Sequence, residues 1–209
     1  MNIYLDDAPL TETADTLAGA IAAARDRASS LERVIVDVIA DGTPLAPAQL
    51  DDDEFMGSSF EEVRLTTAEP RTFVRVTMCD AADALEYARE QQKKAAEHLE
   101  AGHVEDGYKS LEQVVGTWQA ARQSLDQGAQ LLGLDLSTMP LARPETLSEA
   151  IEQLTTGLAE VRRCVQGQDW AGLSDVLLYD LDELVVRWQS LLREVAACIA
   201  ADTKPSDTP

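Results

Sequence analysis

The chain has 209 residues, 45% hydrophobic and 26% charged, the composition of a folded globular protein with room for one domain or two. Its 38 Asp and Glu against 17 Lys and Arg leave a net charge of −21, a field that repels phosphate backbones and anionic lipid and sets nucleic-acid and membrane-surface binding aside. No stretch approaches the roughly 18 apolar residues of a membrane helix, and Met1-Asn2-Ile3-Tyr4-Leu5-Asp6-Asp7 has neither the basic nor the apolar region of a signal peptide, so a cytoplasmic protein is expected.

Residues 1–69 hold 15 acids and 4 bases, a net of −11, together with the β-type sequence. Ile3 and Leu5 alternate in a first strand, which Asp6-Asp7 before Ala8-Pro9-Leu10 turns into a short hairpin. Leu17, Ala20, Ile21 and Ala24 then fall at helical spacing within Thr13 to Ala28. Arg33 to Ala40 is a β-branched strand ended by an Asp41-Gly42 turn, and Val63, Leu65 and Thr67 alternate with Glu62, Arg64 and Thr66 in a last strand. Between them lies Asp51-Asp52-Asp53-Glu54, followed by Glu61-Glu62, which invites a calcium reading. The spacing fails: counted from Asp51 the glycine position is Met56, and counted from Asp52 the closing acid is Val63, so a solvated acidic loop is expected.

Strand, helix, strand, strand makes a compact α+β unit. The opening Asn2-Ile3-Tyr4-Leu5-Asp6-Asp7-Ala8-Pro9-Leu10, the Ala-rich helix, the Val34-to-Gly42 strand and turn, the Pro44-to-Leu50 crossover and the closing Glu62-Val63-Arg64-Leu65 resemble the β-grasp, or ubiquitin-like, fold. The likeness is closest to the small sulfur carriers of thiamine and molybdopterin synthesis. Such carriers end in a free Gly-Gly whose carboxylate is activated, whereas here Ala68-Glu69-Pro70-Arg71 runs on into more protein and the terminus reads Ser206-Asp207-Thr208-Pro209. The resemblance therefore implies an acidic interaction module without carrier chemistry.

Beyond Pro70 the sequence turns to Ala, Leu, Gln and Glu in helical periodicity, and four helices are predicted. The first starts between Thr72 and Asp80 and ends at Ala101, with Ala81, Leu85, Ala88, Gln92, Ala95 and Leu99 on one face. Phe73 to Met78 also fits a strand, Asp80 then capping the helix, so residues 73–79 stay open. The second runs from Val104 to about Leu132 with Tyr108, Leu111, Val115, Trp118, Leu125 and Leu132 on its stripe. The third begins at a capping box, Thr146-Leu147-Ser148-Glu149, and continues through Ile151, Leu154, Leu158, Val161 and Val165. The fourth carries Leu173, Leu177, Leu184, Trp188, Leu191 and Val195. Four stripes need a common interior, hence an antiparallel four-helix bundle over residues 73–202. Gly133 to Pro144 is its long connection, and residues 203–209 are read as a disordered tail. Gly102 and Gly107, like Gly167 and Gly172, precede a Trp-Gln pair, at Trp118-Gln119 and Trp188-Gln189, which leaves a duplicated hairpin open.

Catalytic signatures are missing: there is no G-x-S-x-G, phosphate-binding glycine loop or H-E-x-x-H. His98 and His103 flank Gly102 near Glu97, Glu100, Glu105 and Asp106, at a spacing wrong for a metal site on one helix face, and read as surface residues at a helix end. Cys79, Cys164 and Cys198 lack any CxxC and read as buried thiols. Trp118, Trp188, Tyr108 and Tyr179 are assigned to the core. Leu178, Leu181 and Val185 lie off the main stripe of the fourth helix, which implies a second contact surface, and Trp170 at a hairpin tip reads as an exposed anchor.

The expected function is therefore non-enzymatic, with no catalytic residue, cofactor or metal. Asp51, Asp52, Asp53 and Glu54 steer a basic protein partner, and Leu178, Leu181, Val185 and Trp170 anchor it or a second copy of the chain. Two alternatives are an acidic chaperone of a secretion or export system, holding a helical client, and a divalent-metal-dependent enzyme using carboxylates at the acidic loop or at His98 and His103.

Overall fold

A computed structural model describes residues 1–136, 139 and 146–201. The fold is α+β, a five-stranded mixed sheet at the N-terminus followed by helices. The chain divides into two compact units, Met1–Phe73 and Val74–Pro209, each with its own apolar core.

In the first unit, β1 (Asn2–Leu5) buries Ile3 and Leu5 and turns through Asp6 and Asp7 into β2 (Ala8–Pro9). Both turn residues have positive φ, 49° and 64°, as a tight two-residue hairpin requires, and Asp accepts that region better than most side chains. Asp6 also ties the sheet together: its carboxylate accepts from the Thr67 N–H at 2.7 Å and from Thr67 Oγ1 at 2.5 Å. The Arg33 guanidinium donates to the Thr67 carbonyl at 2.8 Å.

α1 (Leu17–Ser30) starts four residues later than the first predicted position because Thr16 caps it, Oγ1 accepting from the Gly19 N–H at 3.2 Å. Its buried face is Leu17, Ala20, Ile21, Ala24 and Ala28, the spacing read from the sequence. β3 (Val34–Ala40) ends in the Asp41-Gly42 turn and pairs with a two-residue β4 (Thr43–Pro44). Two short helices follow, α2 (Pro47–Leu50) and α3 (Asp53–Met56), before β5 (Glu62–Ala68). Asp41 Oδ1 fixes the entry to β5 by accepting from the Glu61 and Glu62 N–H groups at 3.0 and 2.8 Å. The strand order is β2-β1-β5-β3-β4, with β1 and β5 parallel and the other pairs antiparallel. Val38, Ala40, Val63 and Leu65 meet the buried face of α1 in the core.

In the second unit the open question at residues 73–79 resolves as helix: α4 runs Pro70–Glu100, and Asp80 lies inside it rather than at its start. Glu69 supplies the cap, its carboxylate accepting from the Arg71 and Thr72 N–H groups at 3.0 and 2.6 Å, with Pro70 in the first turn where no donor is needed. α5 (Val104–Leu132) ends at Gly133 in the left-handed region. α6 (Leu147–Gly167) opens at the expected box, where Glu149 accepts from the Thr146 N–H at 2.7 Å and Thr146 Oγ1 from the Glu149 N–H at 3.2 Å. The fourth predicted helix is broken into α7 (Trp170–Asp175), a π-helical turn (Val176–Asp180) and α8 (Leu181–Ala201). Pro140, Pro144 and the tail 203–209 lie outside the described residues.

Glycines let α4 and α5 approach closely in antiparallel sense. A Cβ on Gly107 would lie 2.9 Å from Leu99 Cδ2, and one on Gly128 2.7 Å from Val74 Cγ1. α8 runs antiparallel to α4, with Arg89 forked onto Asp182 at 2.6 and 2.8 Å and Gln189 Nε2 donating to the Ala82 carbonyl at 3.2 Å. It also runs antiparallel to α6, Trp188 Nε1 donating to the Ala150 carbonyl at 3.3 Å and Arg187 to Gln153 Oε1 at 2.9 Å. Residues of α4, α5, α6 and α8 share one core, in which the two tryptophans of the Trp-Gln pairs, Trp118 and Trp188, meet edge to face at 5.8 Å. No described helix is long and apolar enough to cross a membrane.

Candidate interaction site

The helical face expected to anchor a partner is interior. Leu181 and Val185 are fully buried and Leu178 is half-buried, which corrects the expectation of an exposed patch. The reason is that α8 packs against both α4 and α6, so Leu184, Val185, Trp188, Leu191, Leu192 and Val195 all turn inward. A helix with neighbours on two sides needs an apolar sector wider than one stripe. Leu181 follows Leu177 by four residues and precedes Leu184 by three, so it belongs to the core stripe itself. Trp170 is half-buried, its ring edge-on to Tyr108 at 5.8 Å and packed against the core, so it is tucked rather than free.

Two aromatic assignments change in the other direction: Tyr179 is 69% exposed and Tyr108 40%, while Trp118 and Trp188 are core. Of the cysteines only Cys164 is buried, and loss of water pushes its thiol up; Cys79 is exposed and Cys198 half-buried. Among the described residues no three His, Cys, Asp or Glu are placed to hold a metal ion, and the His98 and His103 rings stand 6.3 Å apart.

The acidic run is at the surface of the first unit, with Asp51, Asp52, Asp53 and Glu54 all exposed. It is not the plain loop the sequence suggests. Asp51 closes α2, and Asp52 caps α3, its Oδ1 accepting from the Glu54 and Phe55 N–H groups at 2.9 and 3.3 Å. Asp53 and Glu54 fill the first turn of α3, where the partial positive charge of the helix end favours carboxylates. Four-residue helices carry no apolar period to detect, yet Pro47 at a first-turn position and Asp52 at a cap position were the local signals available.

Beside this run lies a feature absent from the expectations, a cleft of about 640 Å³ between α1 and β3. α1 contributes Ile21 and Arg25, β3 contributes Val34, Val36 and Asp37, and Leu50 and Met56 enter from either side of Asp51–Glu54. The β3 wall is also an open sheet edge. β4 pairs only with Ile39 and Ala40, and the Leu45 N–H donates to the Val38 carbonyl at 2.9 Å. From Val34 to Asp37 the outer edge of β3 has no strand partner among the described residues. Pro47 limits the partner strand, since it lacks the donor that the ladder would need next after Leu45. The register against β5 jumps between Ile35 and Asp37, making Val36 a bulge residue, 36% exposed. Arg33, at the cleft's end, is engaged with Thr67 and stands 3.7 Å from Asp6. No protein-family model matches this chain, and comparison with curated proteins and with solved structures finds no match.

Proposed function

We propose that the chain is a non-enzymatic, cytoplasmic, acidic binding module that docks a basic protein partner on its N-terminal unit. The observation that carries this reading is the α1–β3 cleft, an apolar recess bounded by an open strand edge and lined by Leu50 and Met56 on the two sides of the acidic run. Burial of apolar surface supplies the affinity, and the carboxylates of Asp51, Asp52, Asp53 and Glu54 raise the rate of encounter with a cationic surface. The net −11 of residues 1–69 acts in the same sense at longer range.

The order β2-β1-β5-β3-β4 with parallel β1 and β5 supports reading the first unit as β-grasp-like. The antiparallel pairing of α4 with α5, and of α8 with α4 and α6, supports reading the second as a four-helix bundle.

Affinity capture from native lysate tests the assignment. Wild-type chain is compared with Val36→Asp and with a combined Asp51→Asn, Asp53→Asn, Glu54→Gln variant that keeps the Asp52 cap. A partner held by the wild type should be lost from Val36→Asp and recovered less by the neutralised variant, with the deficit shrinking as salt rises. Equal recovery by all three contradicts the site.

A further inference from the structure

We infer that the partner binds by strand addition: an extended segment of another protein, alternating apolar residues with Lys or Arg, pairs with the outer edge of β3 along Val34–Asp37. This rests on the docking site proposed above and specifies its mode and occupant. An unpaired strand edge offers backbone donors and acceptors in a fixed row, and folded proteins ordinarily cover or blunt such a row. Here β4 covers Ile39 and Ala40, Leu45 reaches the Val38 carbonyl, and the edge from Val34 to Asp37 has no strand partner among the described residues. An added strand would present alternate side chains to one face, and the cleft beside the edge receives that face against Ile21, Leu50 and Met56.

Charge selects the occupant. Asp37 sits on the bare stretch and lines the cleft, and the exposed acidic run lies in the chain between two residues that line it, Leu50 and Met56. A cationic residue opposite Asp37 forms a favourable cross-strand pair, whereas a carboxylate there is repelled. A second copy of this chain is disfavoured, because two molecules of net charge −21 repel one another. Arg25 on the α1 wall repels cations from the cleft interior, so the segment's Lys or Arg residues point away from α1 and its apolar residues point in. The Val36 bulge limits regular pairing to a short stretch, which makes the contact sequence-tolerant and of modest affinity.

The test uses the ¹⁵N-labelled full chain and four acetylated, amidated synthetic peptides. The first is Lys-Val-Lys-Ile-Lys-Val-Lys, the next two are copies N-methylated on the backbone at the apolar residues or at the lysines, and the fourth replaces every Lys by Glu. The lysine peptide should shift the amide signals of Val34–Asp37 and of the cleft residues. One of the two methylated copies should bind at least tenfold more weakly, because alternate N–H groups of an added strand face the edge, and the glutamate copy should leave the signals unmoved. Equal affinity for the lysine peptide and both methylated copies, with the shifts still at the cleft, would overturn strand addition while leaving the docking site standing. Shifts elsewhere would overturn both. Absence of binding at millimolar peptide, equal binding of the glutamate copy, or concentration-dependent shifts of the same amides without peptide would each overturn the inferred occupant.

Discussion

The two units dispose of their apolar surface in opposite ways. In the helical unit, α8 is apolar over a sector broad enough to suggest an external contact, yet α4 and α6 cover that sector from both sides and Leu181 and Val185 end up buried. In the sheet unit β3 outruns its neighbour β4, leaving a bare edge beside a recess. An apolar excess on one element is therefore weaker evidence of a docking surface than an unmatched element length, because packing inside the unit can absorb side chains but cannot pair a backbone edge that no strand reaches.

The largest expected effect tests the closed half of this contrast. Leu181→Asp places a charge in the core next to Gly157, whose position lies 3.2 Å from Leu181 Cδ2 when a Cβ is added, and should cost more than about 4 kcal/mol and unfold the helical unit. Circular dichroism on denaturation measures this, and native-like stability would mean that α8 leaves a face open. Gly128→Ala should cost about 1–3 kcal/mol through overpacking on Val74 and Met78, read from the denaturant midpoint. An unchanged midpoint would mean that α4 and α5 part easily.

Asp182→Asn removes one side of the forked pair with Arg89 and should cost about 1–2 kcal/mol at neutral pH. The Arg89 guanidinium holds the Asp182 carboxyl below the ordinary carboxylate value, so the folded-state pKa is depressed. Its contribution is present above the unfolded-state pKa near 4 and disappears as pH falls through the folded value. The variant should thus lose stability at pH 7 and show a shallower acid dependence; an identical acid profile would rule out the pair as its source. In the sheet unit, Thr67 lowers Asp6 with the same sign, so both units should weaken on acidification below about pH 4.

The smallest expected effect on stability belongs to the open edge. Val36→Asp should change stability by no more than about 0.5 kcal/mol, since its side chain is exposed and outside the β5 register, while abolishing partner capture. A large loss of stability would show that Val36 serves the core and blur the contrast.

Much of the fold is legible in short-range pattern. Ile3 with Leu5 and Val63 with Leu65 alternate into one core, Thr146 and Glu149 mark the start of α6, and Gly133 follows the end of α5. Residues 73–79 are ambiguous because Val74, Val76 and Met78 satisfy a period of two; helical packing buries Val74 and Met78 and leaves Val76 exposed. The acidic run is visible, but α3 itself is not, since a four-residue helix leaves no periodic trace and only a cap residue to mark it. The placement of Leu181 depends on which helices flank α8, and the bare edge depends on where β4 ends relative to β3, both long-range outcomes that local spacing does not encode.

A photo-crosslinking comparison tests the central claim most directly. Benzoylphenylalanine is placed at Val36 on the sheet edge or at Tyr179, the most exposed large apolar residue among those described in the helical unit, and each full chain is irradiated in native lysate. A discrete partner adduct is expected from position 36, displaced by excess lysine peptide, and none from position 179. Adducts from position 179 with none from position 36 would contradict the claim.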